Sequence, residues 1–283
     1  MRINNYNVDP SKIFLRSSNN GISYNGFHRK RIGDWNKAEY WTGIPDCKEC
    51  GGFFGIDKEF HGFGIVLHRP TIEMCEWRGK RISIDCNKVC VSEYRVVAIN
   101  EDIPDYILKQ CGYNILKSGD YVSEISDGKW IIFGGKIGKI TGGFQYFYSE
   151  SSVGNAEITG GVQEFYDESS IGDTKIIGGN QYLHNESSVG NAKIIGGKQH
   201  FYNESSAGNA VITGGEQDFW DKSSAGNAII TGGKQHFSER SSAGIARIAG
   251  GTQYFYNKFS VSNAKITGGY QGFNRSVVLN HRL

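Results

Sequence analysis

The chain repeats one pattern of apolar and polar positions every 18 residues from residue 142 onward. Each unit opens with two glycines, a glutamine follows three residues after the first glycine, and a phenylalanine or leucine follows two residues later. An isoleucine stands two residues before every pair, next to a position that varies freely. Such a fixed period is typical of a stacked array of structural units. The pairs begin at Gly142, Gly160, Gly178, Gly196, Gly214, Gly232, Gly250 and Gly268.

Each unit predicts short strands joined by tight turns at its Gly-Gly, Ser-Ser and Gly-Asn pairs, because glycine and asparagine tolerate positive φ. Side chains alternate across a strand, so Gln145 and Phe147 share one face, as do Ala156 and Ile158. One coil cannot bury its own apolar face, whereas coils stacked at ~4.8 Å build continuous apolar rows. The sequence therefore predicts a right-handed parallel β-helix over residues 134–283. Its coils span 142–267, and 268–283 form a partial last coil and C-terminal cap.

A glutamine is kept in all eight units, from Gln145 to Gln271. Amide side chains at the spacing of stacked strands can bond one to the next, as in the glutamine ladders of cross-β structures. We therefore expect a stack of side-chain amides at one corner of the coil.

Residues 1–133 have no repeat, and they predict a small α+β domain that caps the first coil. Residues 81–84 and 94–99 are rich in β-branched and apolar side chains, which indicates two strands of a hairpin. Residues 102–111 begin with acidic side chains and end before Gly112, which indicates a short helix.

All six cysteines precede residue 112. Two cysteines separated by two residues and followed by glycines are typical of half a structural zinc site. Thiols that hold no metal are the alternative interpretation, and disulfides are disfavoured because no secretory signal is recognisable. The predicted zinc ligands are Cys47, Cys50, Cys86 and Cys90, with His61, His68 and Cys75 as rivals.

Two further positions in each unit form columns beside the predicted core, and the alternation of side chains points both outward. Exposed aromatic rows are typical of surfaces that bind sugars, nucleic-acid bases or proteins, although stacked rings also shield a backbone. The strand column consists of Tyr146, Glu164, Tyr182, His200, Asp218, His236 and Tyr254. The strand-end column consists of Tyr148, Tyr166, His184, Tyr202, Trp220, Ser238 and Tyr256.

Charge is distributed unevenly along the repeats. Residues 142–231 contain 4 basic and 11 acidic residues, whereas residues 232–283 contain 7 basic and 1 acidic residue. Like charges at the spacing of successive coils repel one another, so we expect the acidic ones to bind a basic partner. A solvated face that keeps the protein soluble is the alternative. The acidic column consists of Glu150, Glu168, Glu186 and Glu204, and it continues as Lys222, Arg240 and Lys258.

The overall composition excludes several classes of protein. The chain has 31 basic and 29 acidic residues, a balance that does not indicate direct binding to nucleic acid. We recognise no secretory signal and no apolar run of the roughly 18–20 residues that a membrane span needs. These features predict a soluble protein in the cytoplasm of the producing bacterium or the phage-infected host. No Ser/His/Asp or phosphate-loop spacing indicates catalysis.

The repeat unit, with its Ser-Ser-Ala-Gly-Asn-Ala segment, resembles the β-solenoid repeats of bacterial adhesin-like and phage proteins over residues 139–273. Residues 41–47, 62–70 and 95–99 are similar to an uncharacterised domain that precedes glycine-rich repeats in phage and prophage proteins, a likeness covering residues 25–105. This resemblance implies an origin in a mobile genetic element and assigns no catalytic residue.

Taken together, the patterns predict a non-enzymatic scaffold that binds a host protein through the charged and aromatic face of the solenoid. The alternative is a protein that binds or degrades polysaccharide, since paired carboxylates on a coil face are the machinery of glycoside hydrolysis. The candidate pairs are Glu164 with Asp218 and Asp167 with Asp221, each three coils apart.

Overall fold

The computed structural model describes residues 1–23, 27–41, 53–55, 71–84, 88–148, 150–256, 260 and 264–274. The chain divides into two compact units, Met1–Ile115 and Leu116–Leu283. The second unit begins before the predicted boundary at residue 134, because strands at Tyr121–Ile125 and Lys129–Ile132 already pair in parallel with the strands that follow them. None of the helices in the described part of the chain is long and apolar enough to span a membrane.

The first unit is organised around a long antiparallel hairpin. Its predicted strands and short helix are confirmed, and the unit is mainly β, with α1 at Asp105–Gln110. The strands are β1 (Arg2–Ile3), β2 (Tyr6–Asn7), β3 (Ile13–Ser18), β4 (Asn36–Lys37), β5 (Phe53–Gly55), β6 (Thr71–Ile84) and β7 (Lys88–Ile99). One sheet has the strand order β3-β6-β7-β4, with β5 also paired to β7, and β1 pairs with β2.

The second unit is a parallel β-solenoid with coils of about 18 residues, as the sequence predicts. Two sheets run along it, of ten and nine strands, so the stack has about nine coils. The first sheet contains β8 (Tyr113–Leu116), β10 (Lys129–Ile132), β12 (Phe144–Phe147), β14 (Val162–Phe165), β16 (Asn180–Leu183), β18 (Lys198–Phe201), β20 (Glu216–Phe219), β22 (Lys234–Phe237), β24 (Thr252–Tyr256) and β26 (Tyr270–Asn274). The second contains β9 (Tyr121–Ile125), β11 (Lys136–Ile140), β13 (Glu157–Ile158), β15 (Lys175–Ile176), β17 (Lys193–Ile194), β19 (Val211–Ile212), β21 (Ile229–Ile230), β23 (Arg247–Ile248) and β25 (Lys265–Ile266).

The core of the solenoid consists of rows of apolar side chains, mostly of one residue type in each row, stacked from coil to coil. Ile194 pairs with Ile212, Phe201 pairs with Phe219, and all four side chains are fully buried. The rings of Phe201 and Phe219 lie 4.6 Å apart and nearly parallel. Each such side chain contributes about 1.5–3 kcal/mol through burial, and a one-residue slip would turn it toward water. Burial on this scale fixes the register of every coil.

The glycine pair lets successive coils approach closely. Gly233 has φ +80, and a Cβ there would lie 2.7 Å from the carbonyl oxygen of Gly215 in the preceding coil. Gly154 has a similar φ of +71 but no atom within 4 Å of the same point. The second glycine of the pair is therefore required by both backbone conformation and space.

Replacing Gly233 by alanine tests this close approach, with Gly154→Ala as the matched control. Both variants place a side chain at positive φ, which costs roughly 1–2 kcal/mol. Gly233→Ala also forces the two coils apart, which adds about 1–3 kcal/mol. We expect the free energy of unfolding, measured in denaturant, to fall further for Gly233→Ala. Equal losses would contradict the close approach.

The predicted amide stack is confirmed. Nε2 of Gln217 donates to Oε1 of Gln199 at 2.8 Å and to the carbonyl oxygen of Gly214 at 3.1 Å. Gln235 in turn donates to Gln217 at 2.8 Å. The same two bonds recur in every coil from Gln163 to Gln271. Up to Gln253 they satisfy side-chain amides that lie in the protein interior.

Gln217→Leu removes a member from the middle of this stack. The change leaves Oε1 of Gln199 without its donor and Nε2 of Gln235 without one acceptor, at roughly 1–3 kcal/mol for each buried group. We expect a loss of about 2–4 kcal/mol in the free energy of unfolding. Gln271→Leu, at a half-buried position in the last described coil, is the control and should lose less. A small loss at Gln217 would show that the stack adds little.

Candidate binding surface

The strand column lies on the outward side of the first sheet. In β18 the residues Gln199 and Phe201 are buried, and His200 between them is half-buried. Parallel pairing places His200 directly opposite Asp218, and Asp218 directly opposite His236. The column is thus a true row of neighbouring side chains, and all its members are half-buried: Tyr146, Glu164, Tyr182, His200, Asp218, His236 and Tyr254.

The predicted exposure of the strand-end column is wrong at Tyr148 and Tyr166. These side chains are 0% and 1% exposed. The physical reason is stacking: the ring of Tyr148 lies 5.8 Å from Phe133 and 5.4 Å from Tyr166, whose other neighbour, His184, is 5.1 Å away. Ser238 is buried as well, whereas His184, Tyr202, Trp220 and Tyr256 are half-buried.

Rings in both columns stack on one another from coil to coil. Tyr182 and His200 lie 4.8 Å apart at 10°, and His184 and Tyr202 lie 5.2 Å apart at 9°. Neighbouring rings thus cover the faces that a sugar or a nucleobase would use. This arrangement favours the interpretation that these rings shield the backbone.

Glu164 lies among tyrosines at the start of this surface. The hydroxyl of Tyr166 donates to Oε2 of Glu164, and Nε2 of His184 lies 3.8 Å from the same oxygen. Burial, and then the charge of Glu164, raises the pKa of Tyr146 to about 12. The same two causes, in the same order, raise the pKa of Tyr166 well above its ordinary value.

A second polar cluster lies between β18 and β22. Glu216 and Asp218 are two residues apart on β20, so their side chains share the outward face. Nε2 of His236 lies 4.0 Å from Oε1 of Glu216, and its Nδ1 lies 3.7 Å from Oδ1 of Asp218. Among the described residues, Glu216, Asp218 and His236 are the one group of three whose ligand atoms converge closely enough to hold a metal ion.

The acidic column lies in the turn that follows each strand of the first sheet. In the coil of Asp167 and Glu168, both residues have positive φ, of 47° and 60°, and the amide of Ser169 donates to the carbonyl of Tyr166. Glutamate rarely adopts this left-handed conformation, which glycine adopts freely. All four glutamates are exposed and have positive φ: Glu150, Glu168, Glu186 and Glu204.

Basic residues continue the column in the same conformation. Lys222 has φ 65 and Arg240 has φ 67, and both are exposed. Nζ of Lys222 lies 2.8 Å from Oε1 of Glu204, which joins the acidic and basic parts in one ion pair. Lys258 lies outside the described residues.

The predicted zinc ligands fall mostly outside the described residues, as Cys47, Cys50, Cys86, His61 and His68 do. Cys90 is fully buried in β7, opposite Ile82. The rival ligand Cys75 is fully buried in β6, and burial raises the pKa of its thiol. Zinc binding by these cysteines stays a prediction.

The sequence pattern missed Glu216. The first position of each strand in this sheet varies without rule, as Lys198, Glu216 and Lys234 illustrate, so the repeat gives no reason to single it out. The sequence did contain an indication of this cluster. Glu216 and Asp218 are two residues apart on one strand, and a histidine occupies the position of Asp218 one coil later.

Known proteins assign no role to this surface. The chain matches no protein-family model, no curated protein and no solved structure. The structure shows the parallel stacking of the coils, and the phage or prophage origin stays an expectation from the resemblance of residues 25–105.

The raised pKa of Tyr146 predicts a loss of stability at alkaline pH. The folded protein holds this proton more tightly than the unfolded chain, whose tyrosines titrate near 10.0. The stability from neutral Tyr146 is therefore complete below pH 10 and is lost as the pH rises from about 10 to about 12. We expect the free energy of unfolding to fall less steeply over this interval in Tyr146→Phe than in the wild type. Identical slopes would contradict the burial of this hydroxyl.

Proposed function

We propose that this protein is a non-enzymatic binding scaffold and that its acidic column binds a basic segment of a host protein. The observation that supports this proposal is the backbone conformation of the four glutamates. Each one occupies a left-handed turn position that glycine would occupy without strain, at a cost of roughly 1–2 kcal/mol per residue.

Charge adds to that cost. The glutamates of adjacent coils project from backbones about 4.8 Å apart, the spacing of neighbouring strands. At about that distance two like charges repel by about 1 kcal/mol even in water. Strain and repulsion at the same position favour a functional reason for the residue, because neither contributes to folding.

A partner with regularly spaced basic side chains fits this surface. Four exposed carboxylates in a row produce a local negative potential that accelerates association with a cationic segment and selects against anionic ones. The flanking Lys222 and Arg240 end the attractive surface and set the register of the partner. The binding energy in this case is mainly electrostatic, so added salt weakens it.

The polysaccharide alternative has less support. Glu164 and Asp218 are separated by three strand spacings, or about 14 Å. Paired carboxylates in glycoside hydrolases lie at most about 9.5 Å apart. The stacked rings of Tyr182 and His200 also have covered faces, so they lack the open platform on which a sugar stacks.

The double variant Glu168→Gly/Glu186→Gly tests the proposal, with a synthetic lysine-rich peptide as the probe. We expect at least a tenfold weaker affinity in the variant at low salt, and weaker binding by the wild type as salt increases. The matched control is Glu157→Gln/Asp173→Asn, which removes two charges from other positions of adjacent coils and should bind within about threefold of the wild type.

Two results would overturn the proposal. One is equal affinity in the wild type and the glycine double variant, and the other is an affinity that salt does not change. Glycine should relieve the backbone strain at both positions. The free energy of unfolding of each variant, measured in denaturant, separates a loss of binding from a loss of folding.

A further inference from the structure

We infer that Glu216, Asp218 and His236 form a binding site for a divalent transition-metal cation on the outward face of the solenoid. This inference is independent of the proposed binding of a basic partner, because it concerns a different column of side chains. One imidazole and two carboxylates are ligands that Zn²⁺ and similar cations accept, and three protein ligands leave a position for water.

The fold brings the three ligands together without any special loop. Glu216 and Asp218 project from one side of β20, and His236 lies opposite Asp218 on β22. Nε2 of His236 lies 4.0 Å from Glu216, and its other nitrogen, Nδ1, lies 3.7 Å from Asp218. One ligand atom from each of the three residues lies within 4.8 Å of the other two. Ligand atoms about 2.1 Å from a tetrahedral zinc ion are about 3.4 Å apart. Small side-chain rotations therefore close the site.

Side chains of the preceding strand, β18, contact one oxygen of each carboxylate. Nζ of Lys198 lies 3.1 Å from Oε2 of Glu216, and Nδ1 of His200 lies 3.0 Å from Oδ2 of Asp218. The other oxygen of each carboxylate, Oε1 and Oδ1, is the one nearest His236. Partners of this kind orient metal-binding carboxylates in known sites. Both carboxylates are thus arranged to offer one oxygen to a shared cation.

One nitrogen of His236 lacks a hydrogen-bond partner in the part of the chain that the structure describes, which indicates that a cation binds there. Nε2 of His236 is buried and has no hydrogen-bond partner among the described residues. A buried polar atom left in this state costs about 1–3 kcal/mol. Coordination of a cation by this nitrogen and the facing oxygen of Glu216 removes that cost.

A histidine that follows β16 of the same sheet provides a comparison. His184 lies 3.8 Å from Glu164, but the hydroxyl of Tyr166 donates to the same oxygen of that carboxylate. That position thus has one carboxylate where the proposed site has two. His184→Gln therefore changes a histidine in the same environment without removing a predicted ligand.

Zinc stoichiometry in the full-length chain tests the inference. The protein is stripped with a chelator, dialysed against Zn²⁺ and analysed for bound metal per chain. We expect the wild type and His184→Gln to bind one more zinc ion than Glu216→Gln and His236→Gln. Any zinc held by the cysteines is the same in all four proteins, so the difference reports this site alone.

Equal stoichiometry in all four proteins, or no zinc in the wild type, would overturn the inference. Glu216→Gln keeps the size and shape of the side chain, so it decides the matter if His236→Gln fails to fold. With Co²⁺, the difference spectrum between the wild type and Glu216→Gln should lack a thiolate charge-transfer band. Such a band would assign the metal to cysteine ligands and also overturn the inference.

Discussion

Close parallel contact between successive coils is the constraint on which the solenoid depends. The amide of Thr213 donates to the carbonyl of Ile194 at 2.8 Å, and equivalent bonds join every pair of coils along the described stack. Gly233 approaches the preceding coil so closely that a Cβ has no room. Buried rows of isoleucine, phenylalanine and glutamine then follow from a single register. Every residue 18 positions away is a spatial neighbour, so any change at one position acts on a whole row.

Most of the solenoid could be predicted from the sequence because its rules are local and repeated. The 18-residue period predicts the length of a coil. The alternation of side chains around Gln199 predicts which face of the strand is buried, and the glutamine kept in every unit predicts the stack of side-chain amides. The short helix at Asp105–Gln110 was also predictable, since an acidic start and a following glycine mark its ends. In each case the neighbours of a residue are implied by the repeat or by adjacent residues.

The candidate sites were harder to predict because they depend on side-chain rotamers and backbone torsions. Alternation alone places Tyr148 outside, yet ring stacking leaves it 0% exposed. The acidic column was visible as a row of charges, but its left-handed conformation, as at Glu186, was not. Glu216 could not be recognised from the sequence because its position varies from unit to unit. Only its distance to His236 in the next coil identifies it as part of a cluster. The residues that vary, rather than those that repeat, form both proposed sites.

The free energy of unfolding of Glu186→Gly tests most directly whether the acidic column is kept for a reason other than folding. Glu186 is exposed and has φ 65, and it lies between Glu168 and Glu204 in the acidic column. If the glutamate is retained for binding, glycine should stabilise the solenoid by about 1 kcal/mol, because it relieves strain and repulsion. A decrease in stability would show that the glutamate supports the fold, and it would contradict the assignment of the acidic column to a partner.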